Sequence, residues 1–114
     1  MEEDIDIYFE ESLNLEKVLK QCLEIPYSQL FDKNRVAFVE KDEFEDLQEL
    51  AQTNQKPPAY SCGIITFQSN LAHCCLYCYC GEYGREVLEF LKYLKDNYKC
   101  KAINTYGTNV TYLI

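Results

Sequence analysis

The segment His73-Cys74-Cys75-Leu76-Tyr77-Cys78-Tyr79-Cys80 places the only histidine and four of the seven cysteines within eight residues. Thiolate and imidazole are preferred zinc ligands, and they are also the nucleophile and base of thiol catalysis. Cys75 and Cys78 have C-x-x-C spacing, and Cys62 and Cys100 bring further sulfurs. A structural zinc site usually presents two such pairs from loops that converge tetrahedrally. The second pair is missing here, and the spacing falls within a strand-like stretch, so Cys75 and Cys78 point to opposite faces. The trio expected on a common face is Cys62, His73 and Cys75, one ligand short of a closed site. The expectation is therefore no metal and no cofactor. A zinc-binding or thiol-dependent regulatory or catalytic module on residues 73–80 is the alternative reading.

Catalysis by a Cys–His pair needs a stabilised thiolate and an oxyanion hole. Mid-strand residues flanked by tyrosines supply neither. The only glycines are Gly63, Gly81, Gly84 and Gly107, and no phosphate-cradling loop is found among them. Glu82 sits where Gly81-x-x-Gly84 would otherwise offer an anion site at a helix start. No residue is assigned a catalytic role, and a binding protein is expected in place of an enzyme.

The elements that position these side chains must come from 114 residues, one domain's worth of sequence. Residues 1–114 are expected to form a single α+β domain. Hydrophobic residues make up 47% and charged residues 26%, a composition that can bury a core and is too apolar for a disordered chain. No apolar run approaches the ~20 residues of a membrane span. Met1-Glu2-Glu3-Asp4 is the reverse of a basic signal-peptide start, and an odd number of cysteines cannot all pair within one chain. A reducing cytoplasmic location follows as the expectation, with most thiols acting as small buried hydrophobes. The Asn109-Val110-Thr111 sequon then has no role.

Residues 3–9 alternate Asp4, Asp6, Tyr8 against Ile5, Ile7, Phe9, which predicts a half-buried strand. Ser12 or Asn14 caps a helix whose stripe is Leu15, Val18, Leu19, Cys22 and Leu23. Pro26 ends it, and residues 26–34 are expected to be a loop. Arg35 to Val39 is a short strand. Asp42 and Glu45 have capping-box spacing, opening a helix with Phe44, Leu47, Leu50 and Ala51 on one side. Pro57-Pro58 marks a surface loop. Tyr60–Gln68 and Leu71–Cys80 are the strongest strands, joined by Ser69-Asn70 in a tight hairpin. A helix from about Arg85 to Tyr98 buries Val87, Leu88, Leu91 and Leu94. Lys101–Tyr106 and Asn109–Leu113 form a closing hairpin around Gly107-Thr108. The predicted order is β-α-β-α-β-β-α-β-β, a largely antiparallel sheet of about five or six strands with three helices packed on it.

The Ser69-Asn70 turn fixes a register in which Gln68 faces Leu71, Thr66 faces His73 and Ile64 faces Cys75. One hairpin face then collects Ile65, Phe67, Ala72, Cys74, Leu76, Cys78 and Cys80. The other collects Tyr60, Cys62, Ile64, Thr66, His73, Cys75, Tyr77 and Tyr79. It is neither core-like nor solvent-like, since apart from the histidine it carries no charge. Either helices of the same chain cover it, or tyrosines serve it as partner anchors.

Charge supplies the functional reading. Nineteen acids against eleven bases leave a net charge of −8, which disfavours nucleic acid and anionic membrane as direct partners. Acids gather in residues 2–11 and again in 40–49, where Lys41 is the only base. Like charges at helical spacing repel, so helix stability does not account for the second group. The expected interface is Asp42, Glu43, Asp46 and Glu49 with Asp4 and Asp6, anchored by Tyr8, Tyr60, Tyr77 and Tyr79. It would grip a basic protein, such as a nuclease or another nucleic-acid-handling protein. Pairing of two copies through the tyrosine-bearing face is the other use such a surface has. In size, acidity and tyrosine content the chain is similar to bacterial immunity proteins against nuclease toxins and to phage-encoded anti-defence inhibitors. That resemblance is one of general type, and it implies inhibition of a partner without assigning residues.

Overall fold

The computed structural model describes residues 3–53, 56–58, 61–76 and 82–113. The first strand, β1 (Glu3–Phe9), follows its alternation, with Ile5, Ile7 and Phe9 buried and Asp4, Asp6 and Tyr8 on the opposite face. Helix α1 (Leu15–Cys22) starts where Asn14 Oδ1 accepts from the backbone N–H of Lys17 at 3.2 Å. Its stripe buries Val18 and Cys22 completely, whereas Leu23, just beyond the last turn, is exposed.

Residues 26–34 are not all loop. β2 (Ser28–Phe31) pairs with β3 (Arg35–Phe38) in a hairpin. β2 is short and half polar, and its turn carries no glycine to announce it. Asp32 and Lys33 take left-handed φ values of 47° and 66°, and Asp32 ion-pairs with Arg35 at 3.0 Å. An aspartate tolerates this region better than most residues. The capping box expected at Asp42 and Glu45 is replaced by a 3₁₀ turn, Lys41–Glu43, whose start has no side-chain cap and which runs into α2 (Phe44–Thr53).

The central hairpin has the expected register. β4 (Gly63–Gln68) and β5 (Leu71–Leu76) pair from Gln68↔Leu71 to Gly63↔Leu76. The proposed continuation through Tyr77–Cys80 and the start at Tyr60 lie outside the described residues. Gly63 is required by packing: a Cβ there would sit 2.4 Å from Cζ and 2.6 Å from Cε2 of Phe38, whose ring is buried. Gly63→Ala should therefore lower unfolding free energy by about 1–3 kcal/mol in urea denaturation, the usual cost of overpacking a core. A change near zero would mean that the Phe38 ring can move aside.

In α3 (Glu82–Asn97) the buried stripe is Val87, Phe90, Leu91 and Leu94, at i, i+3, i+4 and i+7. Phe90 takes the inward place expected for Leu88, which lies off the stripe and is exposed. β6 (Cys100–Asn104) has no full closing partner. After Gly107, at φ +79°, the chain makes a single bridge, Ile103↔Asn109, and then a 3₁₀ turn, Thr111–Leu113. Asn109 Oδ1 accepts from both the N–H and the hydroxyl of Thr111, favouring a turn over a second strand.

The six strands form one antiparallel sheet in the order β2-β3-β4-β5-β1-β6. The architecture is α+β, with three α-helices among the described residues, as the sequence predicts. One face packs against α1 and α3 through Ile5, Ile7, Val36, Phe38, Ile65, Phe67, Cys74 and Ala102. A T-shaped Phe67–Phe90 contact at 6.1 Å lies within that layer. α2 packs on the opposite face, where Leu47, Phe44 and Leu50 meet Phe31, Ala37, Val39 and Ile64. Among the described residues no helix is long and apolar enough to cross a membrane.

Candidate functional site

The second face divides in two. Over β2, β3 and β4 it is roofed by α2. Over β5, β1 and β6 it carries Leu71, His73, Cys75, Asp4, Asp6, Tyr8, Lys101 and Ile103, all half-buried or exposed. The same-chain cover expected for the hairpin face is thus present over one part of it, and the other part is open. Register places Ile64, Cys75 and Asp4 in one cross-strand row, and Thr66, His73, Asp6 and Ile103 in the next. Neighbouring strands are ~4.8 Å apart, so Asp4 stands only about 10 Å from Ile64, which lies beneath α2.

Strand pairing joins residues that are far apart in sequence. The Nδ1–H of His73 donates to Asp6 Oδ1. His73 Nε2 faces Cys75 Sγ at 3.6 Å, and the Cys75 S–H donates to Asp4 Oδ1 at 2.8 Å. One potential donor atom from each of Asp4, His73 and Cys75 lies within 4.8 Å of the other two. Cys62 does not join them. It occupies a bend before β4 and packs against the larger core, because strand alternation begins only at Gly63. Sequence reasoning missed that Asp4 and Asp6 complete the cluster, although the matching polar alternations of β1 and β5 were a signal.

The acidic candidates assemble on one side of the sheet. Asp42 and Glu43 lie in the 3₁₀ turn before α2, and Asp46 and Glu49 on its outer surface; Glu43 is half-buried and the other three are exposed. Asp4 and Asp6 project from the open half of the same face, with Tyr8 beside them at 44% exposure. Tyr60, Tyr77 and Tyr79 lie outside the described residues. On the other side α1 mixes Glu16 with Lys17 and Lys20, and α3 pairs Arg85 with Glu89 at 3.1 Å and adds Lys92 and Lys95. α2 contains no base. α2 and β1 themselves carry acids without a base, whereas Lys41 precedes α2 and Arg35 and Lys101 lie on other strands of the same face.

Two further thiols, Cys22 and Cys74, belong to the larger core. Cys22 and Cys74 are completely buried, and burial pushes both thiols far up. For Cys74 the nearby Asp6 and then Cys75 add to the effect. Alkylation of the folded protein should leave Cys22 and Cys74 unmodified while Cys75 reacts, as read by peptide mass spectrometry. Labelling of Cys74 as fast as Cys75 would mean that β5 opens readily. No protein-family model, curated protein or solved structure matches the chain.

Proposed function

We propose that this chain is a small acidic cytoplasmic binding protein that inhibits or neutralises a basic protein. The observation that carries the reading is the placement of two acid groups, distant in sequence, on one side of one sheet. A predominantly negative field accelerates encounter with a basic partner and selects against wrong ones. Half-exposed Leu71, Ile103 and Tyr8 supply the apolar contact that charge alone does not. Bacterial immunity proteins against nuclease toxins and phage anti-defence inhibitors are the functional types of this design, because a nuclease cleft built for phosphates also accepts carboxylates. Nucleic acid and membrane are not direct partners.

The role is binding and not catalysis. β5 lies between β4 and β1, so its backbone N–H groups serve the ladders and are not free to form an oxyanion hole beside Cys75. A carboxylate against the sulfur also repels the thiolate a nucleophile requires.

Immobilised protein exposed to source-cell lysate at low salt tests the proposal. A strongly basic protein should be retained, released by raised salt, and have its activity suppressed by the free chain. Retention of only neutral or acidic proteins, or no retention, would overturn it.

A further inference from the structure

The geometry points to a metal site for zinc or a similar divalent transition ion, held by Asp4 Oδ1, His73 Nε2 and Cys75 Sγ on the open half of the second face. Sulfur, imidazole nitrogen and carboxylate oxygen are the donor set such ions select, whereas magnesium and calcium require oxygen alone. The spacing agrees: a Zn–S bond of ~2.3 Å and a Zn–N bond of ~2.0–2.1 Å at a tetrahedral angle place the two donor atoms about 3.5 Å apart. Sγ and Nε2 are separated by 3.6 Å. Asp4 approaches the same sulfur from the neighbouring strand, and all three donors converge within 4.8 Å.

Asp6 fits this reading. Ligating histidines commonly donate their second ring N–H to a carboxylate, which fixes ring orientation and tautomer. Asp6 accepts from His73 Nδ1–H, turning Nε2 toward Cys75 and Asp4. The same juxtaposition argues against a Cys–His–Asp nucleophile and in favour of a cation. A carboxylate at 2.8 Å from sulfur opposes a lone thiolate, but a divalent ion between them neutralises both anions. The ligands sit on adjacent interior strands, β1 and β5, held in register by six paired positions, so the site is largely preformed. With three protein ligands and half-exposed surroundings, water completes the coordination. The site shares Asp4 and Asp6 with the acidic side but does not require a partner.

Cobalt(II) titration of reduced, chelator-treated full-length protein tests it. One equivalent should produce a thiolate-to-cobalt charge-transfer band that zinc displaces and excess magnesium does not. Cys75→Ser should abolish the band, while Cys62→Ser and Cys100→Ser retain it. Asp6→Asn should keep the band but weaken metal affinity by about 10–100-fold, the usual effect of removing an orienting partner. Far-UV circular dichroism checks that each variant is folded, and a zinc-dependent rise in the unfolding midpoint of wild-type protein, absent in Cys75→Ser, gives a second readout. A band that survives Cys75→Ser, saturation well short of one equivalent, or displacement by magnesium would overturn the site. A failed protein capture would leave it standing.

Discussion

Leu47→Ala should destabilise the protein by about 2–5 kcal/mol, the range for emptying a fully enclosed leucine site. Leu47 has no exposed surface and is the only completely buried side chain of α2. It sits among Phe31, Ala37 and Val39, the small core that attaches this helix to the sheet. α2 starts from a 3₁₀ turn without a side-chain cap and carries Glu45, Asp46 and Glu49 within little more than one turn. At ten residues it is too short to hold by intrinsic propensity alone, so tertiary packing must hold it. The half-buried Leu50 provides the comparison: Leu50→Ala should cost clearly less. Urea unfolding of both variants measures the difference, and a Leu47→Ala effect below ~1 kcal/mol would mean that the helix is anchored by other contacts.

Exchanging Asp42, Glu43, Asp46 and Glu49 together for lysine should have the largest effect on function. Each exchange adds two units of charge, so the formal net charge moves from −8 to zero. Electrostatic steering separates rates near 10⁸–10⁹ M⁻¹s⁻¹ from unsteered ones of roughly 10⁵–10⁶ M⁻¹s⁻¹, so association with the basic partner should slow at least ~10-fold at low salt. The salt dependence of the rate should flatten in parallel, because fewer charges remain to be screened. Three of these side chains are exposed, and none makes an ion pair in the described structure, so fold stability should change little. The neutral version with Asn and Gln at the same positions should fall between, which guards against poor solubility at zero net charge. An on-rate equal to wild type, by stopped flow or surface resonance, would remove α2 from the interface.

What the sequence made legible was local. The helical period placed Val18 and Cys22 inward, and a two-residue turn set the Gln68↔Leu71 register from which the rest of the hairpin follows. Where backbone conformation and not side-chain pattern decided the outcome, expectation failed. Asp32 and Lys33 turn without glycine, and the Asn109–Thr111 hydrogen bonds turn the chain after a single bridge to β6. Long-range pairing was equally invisible. β1 inserts between β5 and β6, bringing Asp6 to His73 across 67 residues and Asp4 to Cys75 across 71. Neither alternation alone states which strand will lie beside it. The acids of α2 and of β1 could be enumerated from the chain, but their shared side depends on α2 crossing to the face that α1 and α3 leave open.

Carboxyl-selective labelling of the protein, free and in complex with its captured partner, tests the shared acidic side most directly. Asp42, Asp46, Glu49, Asp4 and Asp6 should lose reactivity on binding, while Glu16 and Glu24 near α1 and Glu89 and Asp96 on α3 keep theirs. Protection of the second group, with the first still labelled as in the free chain, would contradict the account.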